Sequence, residues 1–209
     1  MPQKQIQTIF VVDDDPDVRE SLQWLLESVG LQVSCFENAL DFFQKFIPGS
    51  SGCIIMDVRM PGLSGINAQT KLSEYQIDLP LIMISAHGNI DMAVTAMTQG
   101  ALTFIEKPFD DQKLIDHVHA ALEKDQAYRQ TLTSIEDHLS SYNSLTRRER
   151  QVFDEVVKGL SNQEIADTLG INRKTVEGHR AHMLSKMAVG SLSELVQIAI
   201  SLKAHKATS

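Results

Sequence analysis

A set of aspartates, one serine and one lysine stand where short apolar runs end, and together they suggest a chemistry. Ile9–Val12 runs into Asp13-Asp14-Asp15, Cys53–Met56 into Asp57, Leu81–Ile84 into Ser85, and Ala101–Ile105 toward Lys107-Pro108. If these runs are neighbouring strands, their ends deliver carboxylates, a hydroxyl and an ammonium to one crevice. Carboxylates packed together repel one another and are costly to desolvate, so they call for a hard cation, and an oxygen-only site suits Mg2+. A carboxylate beside such an ion, with a lysine and a hydroxyl aimed at the same point, can attack a phosphoryl group and hold the resulting acyl phosphate. The expected product is a phosphorylated aspartate. Singly, each piece has a plain structural reading: acidic residues favour a helix N-terminus, Asp57 opens a loop, Ser85 caps, and Lys-Pro turns. Their joint placement at successive strand ends is what argues for chemistry.

The elements that must position these groups follow from the same pattern. The 209 residues are 43% hydrophobic and 22% charged, enough to bury a core and too apolar for a disordered chain. Residues 1 to about 110 alternate apolar runs (Ile9–Val12, Leu31–Phe36, Cys53–Met56, Leu81–Ile84, Ala101–Ile105) with segments of helical period. Such runs suit strands covered on both faces. The first helix follows Asp15-Pro16 and stops at Gly30; the fourth stops at Gly100. The fold class is therefore α/β, a doubly wound, five-stranded parallel sheet, whose ligands sit beyond the carboxyl ends of the strands.

From Asp110 the chain has no Pro or Gly until Gly159, which predicts a long connecting helix over about 111–139, interrupted near Ser140-Ser141-Tyr142-Asn143-Ser144. Leu114, Val118, Ala121, Leu122, Tyr128, Leu132, Ile135 and Leu139 form an apolar stripe, broken at Asp125. It reads as a docking face more than a coiled coil, because three clean heptads are absent. The last 65 or so residues divide into short helices, Thr146–Lys158, Asn162–Leu169, Arg173–Met187 and Leu192–Lys203. Ser161 offers an N-cap and Gly170-Ile171-Asn172 a three-residue turn, the pattern of a helix-turn-helix in a small all-α domain.

Charge divides the chain at the same place. Residues 1–143 hold 9 Lys and Arg against 20 Asp and Glu, a net −11, while residues 144–209 hold 10 against 7, a net +3. The overall −8 thus conceals two modules suited to different partners. The longest apolar runs are far short of the roughly 20 residues that cross a bilayer, and the N-terminus lacks the apolar region of a secretory signal. Two cysteines supply no disulfide framework, so Cys35 and Cys53 are expected to be buried structural thiols in a cytoplasmic protein without a membrane partner. His179 and His182 lie three apart, but no third ligand accompanies them.

The motifs carry a resemblance. Residues 7 to about 124 resemble the receiver domain of two-component response regulators, through Val-Val-Asp-Asp-Asp, Met-Asp-Val-Arg-Met-Pro-Gly-Leu-Ser-Gly, Ile-Ser-Ala-His-Gly and Glu-Lys-Pro-Phe in order and at family spacing. The resemblance implies a flavodoxin-like sheet and makes Asp57 the phosphoacceptor. It makes Asp14 and Asp57 direct Mg2+ ligands, Asp13 a ligand through water, and the Arg59 carbonyl the remaining protein ligand. Ser85 and Lys107 would hold phosphoryl oxygens, Lys107-Pro108 would be a cis peptide, and Phe104 falls at the family's switch aromatic. Phosphorylation would draw Ser85 inward and let Phe104 rotate, reshaping the face of helix four, strand five and helix five into a two-fold dimer surface.

Residues 144–208 resemble the LuxR-type helix-turn-helix, which places the chain beside the NarL/FixJ branch. The match rests on Leu-Thr-Arg-Arg-Glu-Arg-Gln-Val, Gly-Leu-Ser-Asn-Gln-Glu-Ile-Ala-Asp-Thr-Leu-Gly-Ile and Lys-Thr-Val-Glu-Gly-His-Arg-Ala-His-Met-Leu-Ser-Lys-Met. Ile165, Ala166, Leu169, Val176 and Leu184 are expected to form its small core. The third helix would enter the major groove, with Asn172, Arg173, Lys174 and Thr175 holding phosphates. Glu177, Gly178 and Ala181 fall at the family's base-reading positions, and Arg180 and Lys186 add contacts; Glu177 is able to accept from cytosine N4.

These readings predict a receiver over 1–124, a linker helix over 125–143 and a DNA-binding domain over 144–209. The implied protein is a response regulator, not an enzyme, phosphorylated at Asp57 by a sensor histidine kinase, a homodimer when phosphorylated, and bound to double-stranded promoter DNA, with RNA polymerase a further partner. A haloacid-dehalogenase-type phosphatase also uses an aspartyl phosphate, Mg2+, Ser/Thr and Lys. Its nucleophile, however, lies at the first strand, and Asp110-Asp111 here look like a helix start. A third reading is a phosphorylation-dependent protein-interaction module without DNA binding. Kinase, stimulus, operator and direction of regulation are not encoded in these patterns.

Overall fold

The structure is a computed structural model and describes residues 6–86 and 90–208, the side chains of 205–208 excepted. It contains two compact units, residues 1–128 and 129–209.

In the first unit, β1 (Gln7–Val12), β2 (Gln32–Phe36), β3 (Ser51–Asp57), β4 (Leu81–Ser85) and β5 (Thr103–Glu106) form one parallel sheet in the order β2-β1-β3-β4-β5. Each expected apolar run is a strand, its ends displaced by no more than two residues. The runs are continuous because both faces are covered. Phe10, Val12, Ile54, Met56, Leu81 and Met83 point to one side, against Ala39, Phe42 and Phe43 of α2 (Ala39–Lys45), Ala68 of α3 (Gly65–Gln69) and Ala96 of α4 (Ile90–Thr98). Ile9, Val11, Cys53, Ile55, Ile82 and Ile84 point to the other, against Leu22 and Leu26 of α1 (Pro16–Ser28) and Leu114, Val118, Ala121 and Leu122 of α5 (Asp111–Asn143).

Helix α1 starts where the sequence requires it to: Asp15 caps it by accepting from the Asp17 N–H, and Pro16 occupies the first turn. Helix α5 is longer than the expected 111–139, running 33 residues to Asn143. Ser140 and Ser141 lie within it and do not interrupt it, since neither is a strong helix breaker. Its expected apolar stripe is buried only as far as Leu122, followed by Asp125; Tyr128 is exposed.

The second unit contains α6 (Arg147–Val157), α7 (Asn162–Leu169), α8 (Arg173–Lys186) and α9 (Leu192–Thr208), the last five residues longer than expected. Its core gathers Val152, Phe153, Val156, Ile165, Ala166, Val176, Met183, Met187 and Leu195. Leu169 and Leu184, expected in that core, only pack against it in part; Met183 is the fully buried residue on that turn. Cys53 is buried as expected, and burial pushes its thiol up to about 12, while Cys35 is only partly buried beside Arg19 and Gln23. Cys35 thus departs from expectation because β2 is the edge strand. Among the described residues, no helix is long and apolar enough to cross a membrane.

Candidate functional site

The carboxyl ends of β1, β3, β4 and β5 meet at one edge of the sheet. Asp13 follows β1, and its N–H bonds the Phe36 carbonyl of β2 at 3.2 Å. Asp57 ends β3, opposite Ile84, and Ser85 ends β4, opposite Glu106. The Lys107 N–H bonds the Ser85 carbonyl at 2.8 Å, which carries the chain into a cis Lys107-Pro108 peptide.

Lys107 Nζ stands between two carboxylates, 2.7 Å from Asp13 Oδ2 and 2.9 Å from Asp57 Oδ1. The remaining oxygens are held by backbone: Asp13 Oδ1 accepts from the Asp15 N–H at 3.0 Å and Asp57 Oδ2 from the Arg59 N–H at 2.6 Å. Asp13, Asp57 and Ser85 are all buried. Desolvation raises the Asp13 carboxyl above its ordinary value, and the hydrogen bond from Lys107 only partly offsets it. Burial would depress the Lys107 ammonium, yet its bonds to Asp13 and Asp57 outweigh that and hold it above its usual range. Desolvation therefore prevails at Asp13, whose cation also bonds Asp57, whereas Lys107 gains from both carboxylates at once.

Two further residues build the pocket without a clear signal in the sequence. Arg19 donates from its guanidinium to the Asp13 carbonyl at 2.7 Å, one helical turn after the Asp15 cap. Gly65 lies so close beneath Asp57 that a Cβ there would fall 2.2 Å from the Asp57 carbonyl oxygen, so the loop after β3 can fold back only with glycine at this position. Phe104, on β5, packs partly against the sheet core and lines an open groove of about 590 Å³ with Ile90, Ala93, Pro108, Phe109 and Lys113.

The donor set suits a hard cation in kind: oxygen only, with two buried carboxylates facing a single ammonium, a surplus of negative charge that a divalent ion offsets. Asp14 is exposed at the rim. In this arrangement Lys107 fills the space between Asp13 and Asp57, and among the described residues no three His, Cys, Asp or Glu side chains converge as a metal-ligand group, His179 and His182 included.

The second candidate surface lies on α8. Gly170 closes α7 and Asn172 caps α8, its Oδ1 accepting from the Thr175 N–H at 2.8 Å and the Thr175 hydroxyl at 2.9 Å. Arg173, Lys174, Glu177, Gly178 and Ala181 are exposed on the side away from the buried Val176 and Met183. Arg173 Nε pairs with Glu177 Oε1 at 3.0 Å. Arg180 and Lys186 are engaged with neighbouring helices: Arg180 donates to Asn162 Oδ1 on α7 at 3.0 Å, and Lys186 to Glu149 Oε2 on α6 at 2.8 Å. Glu149 also completes a capping box with Thr146. The Lys186 bond, with those from Thr146, holds the Glu149 carboxyl down at about 2.

Comparison with known proteins matches both units. Residues 9–119 match the response regulator receiver domain, and residues 143–199 match the bacterial regulatory proteins of the luxR family. A transcriptional regulatory protein, TdiR of Thauera aromatica, is 41% identical over 95% of this chain and 87% of its own length. FixJ of Bradyrhizobium diazoefficiens, another transcriptional regulatory protein, is 39% identical over 92% and 94%. The solved structure of response regulator StyR superposes with a TM-score of 0.80 at 41% identity, covering 92% of this chain and 98% of that one. Full-length FixJ from B. japonicum gives 0.58 at 37%, covering 95% and 98%. A receiver sheet followed by a LuxR-type helix-turn-helix defines a response regulator with a DNA-binding output domain. The chain belongs to the FixJ-type response regulators, a family of transcription regulators.

Proposed function

We propose that this chain is a phosphorylation-activated transcription regulator whose phosphoacceptor is Asp57. The observation that carries the reading is Lys107, bonded at once to Asp13 and Asp57 at neighbouring strand ends. In the proposed reaction an Asp57 carboxylate oxygen attacks the phosphorus of a phosphohistidine on a sensor histidine kinase. The P–O bond forms as the P–N bond breaks, and the imidazole leaves with a proton. The Lys107 ammonium, already within reach of Asp57, exchanges its carboxylate contact for a phosphoryl oxygen, and the Ser85 hydroxyl binds another.

Receiver domains typically bind Mg2+ at this acidic pocket. Asp13, Asp14, Asp57 and the Arg59 carbonyl would hold the ion, which when bound supplies positive charge to the phosphoryl oxygens. The proposed boundaries are 1–124 for the receiver, 125–143 for the linker helix and 144–209 for the DNA-binding domain.

The proposed output is a homodimer bound to double-stranded promoter DNA, with RNA polymerase a further partner. Ile90, Val94 and Met97 on α4 are 82%, 57% and 47% exposed at helical spacing, beside Phe104 and its groove. This apolar strip supports the α4–β5–α5 face as the dimer surface. On α8, Asn172, Arg173, Lys174 and Thr175 are proposed to hold phosphates, Glu177, Gly178 and Ala181 to face base edges, and Arg180 and Lys186 to border the groove. Treating the chain with acetyl phosphate and Mg2+ tests the central step by intact-mass spectrometry. One HPO3 group is expected per chain, lost in Asp57→Asn. Continued multiple turnover, or equal labelling of the variant, would overturn the reading.

A further inference from the structure

The one acidic break in the apolar stripe of α5 is itself buried. Asp125 is 1% exposed, and its Oδ2 accepts from the Ser51 hydroxyl at 2.5 Å and from the Gly52 N–H at 2.9 Å. One turn earlier, the Leu122 carbonyl accepts from Gln7 Nε2 at 2.9 Å. The donors come from adjacent rungs of the sheet, since Gln7 pairs with Ser51 and Thr8 with Gly52. Gly52 has φ +144°, and a Cβ there would fall 1.8 Å from the Thr8 carbonyl oxygen. The amide that reaches Asp125 is therefore placed by a strand geometry that admits no side chain.

A leucine at 125 would continue the stripe without the cost of burying a carboxylate. What the carboxylate adds is a directional fix: an apolar side chain tolerates sliding of the helix along the sheet, whereas an acceptor shared by a hydroxyl and an amide does not. Asp125 is also the last buried position on α5; residues 126–143 of the same helix are half-buried or exposed. Strand β3, buried from end to end, carries Ser51 and Gly52 at one end and Asp57 at the other, roughly 20 Å away at the usual rise.

We propose that Asp125 is a positioning residue that pins α5 to the amino end of β3, beside the bond from Gln7 of β1 to Leu122, where the linker begins. A change at the Asp57 end of the sheet then reaches residues 126–143 through an anchored helix and is not lost by slippage. This rests on the phosphorylation reading above.

The test uses the full chain as wild type, Asp125→Asn, Asp125→Ala and Ser51→Ala. Hydrogen exchange measured by mass spectrometry reads the anchor. Affinity for a DNA duplex selected from a random pool by the phosphorylated wild type, measured with and without acetyl phosphate, reads the coupling. Asp125→Ala is expected to speed exchange across 119–130, and at Gly52, at least tenfold, with residues 53–57, β4 and Asp57 labelling unchanged, and to cut the phosphorylation-induced affinity ratio at least threefold. Asp125→Asn, which keeps an acceptor, is expected to restore most of both. If Asp125→Ala does not fold, Ser51→Ala, which removes one donor, is expected to show the same two effects in weaker form and decides in its place. Wild-type exchange over 119–130 in the deciding variant, or faster exchange with an unchanged affinity ratio, would overturn the proposal. A wild type that takes up no phosphoryl group would instead defeat the phosphorylation reading, leaving the exchange result to judge the anchor alone.

Discussion

Lys186 of α8 donates to Glu149 of α6 at 2.8 Å, and this pair ties the two helices together. Glu149 is almost wholly buried while Lys186 remains partly exposed, so the carboxylate depends on the cation more than the reverse. The Glu149 carboxyl titrates at about 2 in the folded protein, against 4.5 when unperturbed. A depressed folded value contributes stability that is complete above about pH 4.5 and is lost as pH falls through about 2. Hydrogen-exchange stability of residues 146–187 is expected to decline over that interval in wild type and to decline less in Glu149→Gln. At pH 7, Lys186→Met leaves the carboxylate buried without its cation and is expected to cost roughly 1–3 kcal/mol. An equal acid slope in wild type and Glu149→Gln would mean that the pair contributes nothing.

Removing Lys107 has a comparable effect in the receiver. Lys107→Met leaves Asp13 and Asp57 facing each other in a buried site with no ammonium between them. Urea unfolding followed by far-UV circular dichroism is expected to show a loss of roughly 3–5 kcal/mol at pH 7. Millimolar Mg2+ is expected to recover part of that loss, because a divalent cation supplies the missing charge. Magnesium giving no recovery would argue that the two carboxylates do not share a cation site.

The apolar strip on α4 makes a separate prediction. Ile90→Asp combined with Val94→Asp alters two highly exposed residues, so folding and Asp57 labelling are expected to stay at wild-type levels. Sedimentation of the phosphorylated double variant at micromolar concentration is expected to show monomer where wild type shows dimer. Dimer in both would move the interface elsewhere.

How much of this was legible in the sequence depended on whether a residue's partners lay on one element. The strand ends were readable because Asp13, Asp57, Ser85 and Lys107 each follow an apolar run, and a parallel sheet brings such ends together. Asn172 and Gly170 were readable because caps and turns are local. Arg19 and Gly65 were not, since each serves a residue on a different element. Asp125 was visible only as a break in periodicity; its partners lie 73 and 74 residues away. Lys186 and Arg180 belong to the basic composition of α8, and composition does not show that each already bonds a side chain on α6 or α7. Leu184 and Met183 exchanged roles because one residue of rotation on a helix, about 100°, decides which faces the core.

That division of the α8 cations yields the last prediction. Lys174 is exposed near the helix N-terminus, whereas Arg180 is partly buried and donates to Asn162 at 3.0 Å. A cation that contacts a phosphate releases a counterion on binding, so its removal lowers the slope of log affinity against log salt by about 1. Lys174→Ala is therefore expected to weaken binding to specific and random duplexes alike and to reduce that slope, with thermal stability unchanged. Arg180→Ala loses a bond between α7 and α8, and is expected to lower the midpoint of thermal unfolding while changing the salt slope by less than half as much. Titrations of both variants at several salt concentrations, beside melting curves of the free proteins, separate the two roles. Equal slope losses with equal melting temperatures would make Arg180 a phosphate contact of the same kind as Lys174.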